Sequence, residues 1–223
     1  NDMLEINRQL QTSVSEQLRQ MEMEKKNVLY ALLRVIRESV GYDAEYMERV
    51  CYDCRTLAEA LQLSVEYSPL ISDGYIDMIE LATPLGGIGK VAIPSDIMQK
   101  KENLTPEERE LRQKHTMIGA QILGDIKDLG DYNDYIQMAA DIANYHHENW
   151  DGSGYPTGKS GDEIPLAAQI VAVIHAYCAL TDGKRRQEPL KREEALAELE
   201  LDAGKKYNPE IFKILKKISR QLH

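Results

Sequence analysis

The stretch from His146 to Pro165 reads HHENWDGSGYPTGKSGDEIP and joins two adjacent imidazoles to a long, glycine-rich loop. Gly152 and Gly154 permit positive φ angles and close approach of the backbone, and Pro156 stiffens the chain beside Tyr155. Loops of this length with aromatic content are more often functional than ordinary surface turns. We therefore predict that this loop presents a fixed tyrosine and several backbone N–H groups close to the two histidines.

The sequence on both sides of this loop predicts an all-α protein. Apolar residues recur at helical spacing, and no convincing alternation of apolar and polar residues indicates a strand. Thr105-Pro106-Glu107-Glu108 is a typical helix start, with threonine as the cap, proline first and glutamate third. We predict helices over about 1–40, 43–63, 68–84, 105–129, 131–147, 165–181, 191–204 and from 208 onward.

Residues 1–40 contain no glycine or proline and predict one long amphipathic helix. Asn7 and Lys25 interrupt its apolar seam, so the heptad pattern of a coiled coil is imperfect. The helix either packs on its own domain or forms a dimerising stalk, and both interpretations stay open. We divide the chain into an N-terminal signalling or dimerisation helix, 1–27, and a helical domain, 28–223. The seam consists of Ile6, Leu10, Val14, Leu18, Met21, Val28, Leu32 and Ile36.

Composition limits the classes of function. With 223 residues and 43% apolar content, the chain can bury one domain core and still carry an extension. A net charge of −10 argues against general binding to DNA or RNA backbones, which needs a basic surface. No apolar run is long enough to span a membrane, and three cysteines fit a reducing compartment. We therefore predict a cytoplasmic protein that binds neither membrane nor nucleic acid.

Four histidines occupy positions that suit a shared site. His115 and His175 lie on apolar helical stripes and therefore point inward, whereas His146 and His147 end a helix just before the glycine-rich loop. A single histidine at such a position is more often a hydrogen-bonded core residue than a ligand. Several buried imidazoles repel one another once protonated, and a metal ion removes that problem. Residue types and spacing alone leave both interpretations open.

The stretch from His146 to Pro165 closely resembles the signature loop of the HD-GYP family. Leu85–Met98, LGGIGKVAIPSDIM, is similar to the family segment LHDIGKIxIPDxIL, and Leu104–Leu123 is similar to the helix that follows it. The resemblance covers roughly residues 28–220 and implies an HD-domain-type helical bundle, here preceded by the long N-terminal helix. It also implies hydrolysis of cyclic di-GMP by a cluster of two or three metal ions, often iron or manganese.

The chain departs from this family at most of the ligand positions. Gly86 and Gly87 stand where the family has its name-giving His-Asp pair, and Tyr42 and Tyr46 stand where it has a glutamate and a histidine. His175 corresponds to a later aspartate ligand. The resemblance therefore identifies the chain as a degenerate member in which every ligand carboxylate is replaced.

Four histidines remain as candidate metal ligands: His115, His146, His147 and His175. Imidazole suits late transition metals. We therefore expect at most one transition metal ion, with zinc, nickel, iron and manganese as candidates, or none.

The resemblance also implies contacts for a nucleotide and for a partner protein. In the family, basic side chains after the apolar helix grip the cyclic di-GMP phosphates, and here that loop contains Lys184 and Arg185. The residues assigned to ligand binding are Lys90, Tyr155, Lys184 and Arg185. The residues assigned to contact with a GGDEF-type partner domain are Gly154, Tyr155 and Pro156.

Three functions are compatible with these observations. Our main expectation is a non-catalytic sensor of cyclic di-GMP or a related nucleotide, or a protein-interaction module. The alternative is a metal-dependent cyclic di-GMP phosphodiesterase with an unusual all-histidine metal site. The second alternative is a dimeric structural scaffold without a ligand. Metal-dependent hydrolysis would select the enzyme, and binding without hydrolysis would select the sensor.

Overall fold

A computed structural model describes residues 2–40, 44–100, 103–128, 134–183 and 188–223. Within these ranges the chain folds into ten α-helices and three 3₁₀ segments, and it forms no β-strand. The predicted all-α fold is therefore confirmed. The helices are α1 (Asp2–Val40), α2 (Ala44–Gln62), α3 (Asp73–Ala82), α4 (Ser95–Gln99), α5 (Pro106–Gln113), α6 (His115–Asp128), α7 (Asp134–Tyr145), α8 (Leu166–Thr181), α9 (Arg192–Glu200) and α10 (Pro209–Ile218). The 3₁₀ segments are Thr83–Ala92, Gly161–Glu163 and Ser219–Gln221.

The predicted helix over 105–129 is two helices that meet at Lys114. Its start is as expected, because the Glu108 N–H donates to Thr105 Oγ1 at 3.2 Å and the Thr105 N–H donates to Glu108 Oε2 at 2.9 Å. The break follows from two side chains of the next turn. The Nδ1–H of His115 donates to the Arg112 carbonyl, and the Thr116 hydroxyl donates to the Gln113 carbonyl. These bonds divert carbonyls that would otherwise continue the helix.

The core lies where α2, α3, α7 and α8 pack together. Helix α8 is apolar on most of its faces and supplies a large share of the buried side chains. The largest fully buried side chains are Tyr177, Leu57, Leu61, Ile71, Ile79, Leu85, Leu123, Ile142, Ile170, Ile174, Ile211 and Leu215.

The 3₁₀ segment Thr83–Ala92 packs on α6 and α7 and places Lys90 beside both helices. Its contact with α6 is between backbones, because a Cβ at Gly89 would overlap the His115 carbonyl and lie 2.5 Å from the Gly119 nitrogen. The predicted helix over 68–84 ends at Ala82 because Pro84 and three glycines follow. Proline and glycine disfavour an α-helix interior, so the chain adopts the tighter turn instead.

Helix α1 is continuous, but its first half is exposed. Leu10, Val14 and Leu18 keep 59%, 46% and 57% of their surface accessible, although they form the apolar seam. A coiled coil and a dimer stay predictions, as does the division at residues 27 and 28. Among the described helices, none combines the length and the apolar character needed to cross a bilayer.

Candidate metal centre

Three of the four predicted histidines come together. His115 begins α6, and His146 and His147 follow the last residue of α7. One ring nitrogen from each lies within 4.8 Å of the others. The ring centroids are 5.7 Å apart for His115 and His146, 5.2 Å for His115 and His147, and 4.1 Å for His146 and His147. The start of α6 and the end of α7 thus bring their histidines into one imidazole cluster.

Hydrogen bonds fix which ring nitrogen carries the proton in two of these histidines. The Nδ1–H of His115 donates to the Arg112 carbonyl at 2.6 Å, and the Nδ1–H of His146 donates to the Ile142 carbonyl at 2.7 Å. A carbonyl oxygen can only accept, so in both rings the lone pair lies on Nε2. Metal-binding histidines are commonly anchored in this way.

The Nε2 atom of His115 is buried and has no hydrogen-bond partner among the described residues. A buried polar atom without a partner is uncommon, because it loses its contact with water and gains nothing in return. A metal ion bound at this lone pair would satisfy the atom. The donor set therefore fits a transition metal ion held by three imidazoles, which leaves a coordination position for water or a substrate oxygen.

Burial keeps these imidazoles neutral. Desolvation lowers the pKa of His115 to about 4. Desolvation, helped by the charge of Lys90, lowers the pKa of His146 to about 3. The pKa of His147 also falls well below its ordinary value, mainly through burial. A neutral imidazole is the form that binds metal, so the cluster is ready to bind at neutral pH.

His175, the fourth predicted ligand, lies apart from this group. It belongs to α8, and its Nδ1 is 3.4 Å from the hydroxyl of Tyr46. The two rings meet edge to face with centroids 5.8 Å apart. A charge on His175 would lower the pKa of His147, so the residue is near the cluster without joining it. Its role as a ligand stays a prediction.

The positions at which we expected a lost metal ligand are buried where the structure describes them. Gly86 and Gly87 are buried in the Thr83–Ala92 segment, and a Cβ at Gly86 would lie only 2.6 Å from Ile142 Cγ2. Tyr46 is buried, and Tyr42 lies outside the described residues. A side chain in place of Gly86 would therefore require the Ile142 side chain to shift.

Two positive charges face the histidines. Lys90 is half-buried, and its charge contributes to the lowered pKa of His115, His146 and His147. Arg112 acts on His115 and also lowers the pKa of Tyr155 against the effect of burial. Arg112 was not predicted from the sequence, although a cation one helical turn before a candidate ligand was a usable signal. The predicted Lys184 and Arg185 lie outside the described residues.

The signature loop packs against the cluster. The Tyr155 ring stacks on His147, with centroids 4.8 Å apart and planes inclined by 19°. Burial raises the pKa of Tyr155 to about 12. The carboxylate of Glu148, which the sequence analysis did not single out, accepts hydrogen bonds from Thr157 and Gly158. Contact of Gly154, Tyr155 and Pro156 with a partner protein stays a prediction.

A family model described as HD domain matches residues 69–211. A cyclic di-GMP phosphodiesterase of Thermotoga maritima is 34% identical over 203 residues, which cover 89% of this chain and 52% of that protein. A probable cyclic di-GMP phosphodiesterase of Vibrio cholerae is 33% identical over 93% of this chain and 47% of its own length. The chain thus spans about half the length of these relatives.

Two solved structures share the fold. A cyclic GMP-AMP specific phosphodiesterase of Vibrio cholerae aligns with a TM-score of 0.58 and 16% identity, over 86% of this chain and 48% of its own. An HDG"Y"P protein of Bdellovibrio bacteriovorus aligns with a TM-score of 0.56 and 23% identity, over 78% of this chain and 52% of its own. Both structural alignments cover most of this chain.

The comparisons correct one expectation. A non-catalytic sensor or interaction module is wrong as the main interpretation, because the matching relatives are named as phosphodiesterases and the histidine cluster could hold a metal ion. The interpretation given as the alternative, a metal-dependent phosphodiesterase, has the better support. With this helical fold, this signature loop and these matches, the chain belongs to the HD-domain family and is of the HD-GYP type.

Proposed function

We propose that this chain is the catalytic domain of a metal-dependent phosphodiesterase that hydrolyses cyclic di-GMP. One observation carries the proposal: neutral imidazoles of His115, His146 and His147 converge, and two of them direct an Nε2 lone pair away from an anchored Nδ1–H. The names of the most similar relatives supply the reaction and the substrate class.

We propose a single ion at this site. The chemistry that it supplies when bound is neutralisation of phosphodiester charge and a lowered pKa for a coordinated water. Three neutral histidines contribute no negative charge, so the site as a whole stays cationic and attracts a phosphate anion. The close approach of two or three ions normally relies on bridging carboxylates, and the histidine cluster contains none.

The side chains around the cluster support binding of a cyclic dinucleotide. Lys90 and Arg112 place positive charge beside His115 and can contact phosphate oxygens. Partial burial of the histidines excludes water and strengthens these electrostatic interactions. Lys184 and Arg185 remain candidates for a second phosphate contact from the loop after α8.

The decisive experiment incubates the pure protein with cyclic di-GMP and iron(II), manganese, nickel or zinc in turn, and resolves the products by chromatography. We expect linear dinucleotide or GMP with at least one metal. Chelator should abolish the product and His146→Ala should lower it by about 10²–10³-fold, whereas Lys213→Ala, on the exposed side of α10, should leave it unchanged. Unchanged cyclic di-GMP with every metal would contradict the proposed function.

The N-terminal segment extends this proposal. We propose that residues 1–27 form a signalling or dimerisation helix that pairs with a second copy through Leu10, Val14 and Leu18. Their exposure supports this, because isolated proteins rarely leave a long apolar stripe in water. Binding of a GGDEF-type partner and a cytoplasmic location remain further predictions. Replacement of the three residues by serine should turn a dimer into a monomer in sedimentation experiments.

A further inference from the structure

The loop after His147 is folded back on itself by a buried carboxylate. Glu148 is 3% exposed and follows His147 directly. Its Oε1 accepts hydrogen bonds from the Thr157 N–H and the Thr157 hydroxyl, each at 2.7 Å, and its Oε2 accepts from the Gly158 N–H at 3.1 Å. Charge-assisted bonds to a buried carboxylate are strong, and leaving such a group unpaired is costly. Glu148 thus closes the loop beneath the metal-site histidines.

The closed loop brings Tyr155 against His147. The Tyr155 N–H donates to the His147 carbonyl at 3.1 Å. Gly154 passes so close to the preceding chain that a Cβ there would overlap the Asn149 nitrogen and lie 2.5 Å from Glu148 Cα. Only glycine allows this crossing. These contacts fix the backbone of Tyr155 beside His147, and the side-chain torsions then place its ring on the imidazole.

The three histidines of the cluster differ in what holds their rings. His115 and His146 each donate an Nδ1–H to a helix carbonyl. For His147, no residue in the described part of the chain provides a hydrogen bond to the ring, and the Tyr155 ring instead stacks on it at 4.8 Å and 19°. A parallel stack restricts rotation of the imidazole about its χ2 torsion, which is otherwise broad.

We propose that Tyr155 and Glu148 are positioning residues for His147: the stack orients the imidazole, and the carboxylate holds the loop that delivers the tyrosine. This inference rests on the proposed metal site. It gives the Gly154-Tyr155-Pro156 motif an internal role, which is independent of contact with any partner protein. The stack replaces the hydrogen bond that each of the other two histidines donates to a helix carbonyl.

The test compares Tyr155→Leu with Tyr155→Phe in two measurements. In metal-free protein, carbon relaxation of the His147 Cδ2–H group reports the order of the ring. Titration with cobalt(II), followed by its absorption bands, reports metal affinity. We expect Tyr155→Leu to lower the ring order and to weaken affinity by about 10–100-fold, the usual effect of losing support for a metal ligand. Tyr155→Phe keeps the stack and should stay within about twofold of the parent in affinity.

Glu148→Gln tests the second residue. The amide oxygen can keep the bonds to Thr157 and the 3.2 Å bond from the Gly158 N–H, but the amide N–H₂ group would replace the acceptor that lies 3.1 Å from the same N–H. Two donors would then face each other, so the loop should loosen. We expect the upfield shift that the Tyr155 ring imposes on the His147 ring protons to shrink, and cobalt(II) affinity to fall about tenfold. The matched control is Glu163→Gln in the same loop, whose carboxylate accepts only from Ser160 at 3.3 Å and 3.4 Å. Circular dichroism of each variant verifies the fold.

The outcomes separate this inference from the proposed function. Parental ring order and metal affinity in Tyr155→Leu would overturn the positioning role, whatever the protein hydrolyses. Loss of ring order and affinity in Tyr155→Leu, with no hydrolysis by the parent, would support the positioning role and reject the phosphodiesterase. If the parent binds no cobalt(II), the ring-order measurement alone decides, and unchanged order in Tyr155→Leu refutes the inference.

Discussion

The two sides of the candidate site are built differently. On the side of the signature loop, His115, His146 and His147 are held by carbonyls and by an aromatic stack. On the opposite side, Gly86 packs against Ile142, and Tyr46 faces His175 across a long 3.4 Å contact. The first side has donor atoms with fixed lone pairs. On the opposite side, the space next to Gly86 is filled by the Ile142 side chain.

This difference indicates what kind of site the chain can form. An ion needs several donors in fixed positions, and among the described residues the three-histidine group lies on the loop side. On the opposite side, a side chain at Gly86 would require Ile142 to shift, because a Cβ there would lie 2.6 Å from Ile142 Cγ2. We therefore expect the two sides to contribute unequally to metal binding, and variants on each side can test this difference.

The largest effect should come from removing a ligand on the loop side. His146→Ala should lower phosphodiesterase activity by about 10²–10³-fold, because it deletes a donor and leaves the remaining geometry incomplete. His175→Ala on the opposite side should lower it less than about tenfold. Initial rates with cyclic di-GMP at saturating metal check this. Equal losses in the two variants would show that His175 is a fourth ligand.

The loop side should also make the metal-free protein sensitive to acid. His115 has a folded-state pKa of about 4, below the ordinary value of 6.5. Between these two pH values the unfolded chain therefore binds more protons than the folded chain. The contribution of neutral His115 to stability is complete above pH 6.5 and disappears as the pH falls to about 4. The 2.5-unit difference corresponds to about 3 kcal/mol. We expect the free energy of unfolding, measured with urea in the presence of chelator, to fall more from pH 7 to pH 4 for the parent than for His115→Gln.

Packing on the opposite side can be tested by a single methyl group. Gly86→Ala should lower the free energy of unfolding by about 2 kcal/mol, because the added Cβ overlaps Ile142 Cγ2. The double variant with Ile142→Ala should be less destabilised than the sum of the two single variants. Simple additivity in denaturant unfolding would mean that the two groups are not in contact.

The smallest effect should come from the hydroxyl of Tyr46. Its oxygen lies 3.4 Å from His175 Nδ1 and 3.5 Å from the His175 carbonyl oxygen, and contacts of this length are weak hydrogen bonds. Tyr46→Phe should therefore change stability by less than about 1 kcal/mol and cobalt(II) affinity by less than about threefold. A tenfold loss of affinity in Tyr46→Phe would mean that the opposite side contributes to the metal site after all.

The helical fold and three of the four histidine positions could be predicted from sequence. Helical periodicity marks buried faces, so His115 could be assigned an inward direction, and adjacency put His146 and His147 at one helix end. The separation of His175 from the other three histidines could not be predicted, because it depends on how α8 packs relative to α7. The division of the helix at Lys114 was also missed, since it arises from side-chain bonds that propensity does not describe.

Glu148 shows a different limit. A carboxylate next to two histidines suggests a metal ligand or a solvent-exposed charge. Nothing in the sequence predicts the loop-closing role that Glu148 has in the structure. Its actual partners lie nine and ten residues ahead, at Thr157 and Gly158. Such a contact exists only once the loop has closed. The signature motif was recognisable as a pattern, but the reason for its glycine and its tyrosine required the fold.

The backbone contact of Gly89 with α6 has a consequence for how Lys90 meets an anion. Side-chain contacts can rearrange among rotamers, whereas two backbones in contact have no such freedom. The Cα of Lys90 is consequently fixed relative to His115 before any ligand arrives. If the ammonium group binds a phosphate, as proposed, the entropy lost at Lys90 comes mainly from its four side-chain torsions, because its backbone position is already set.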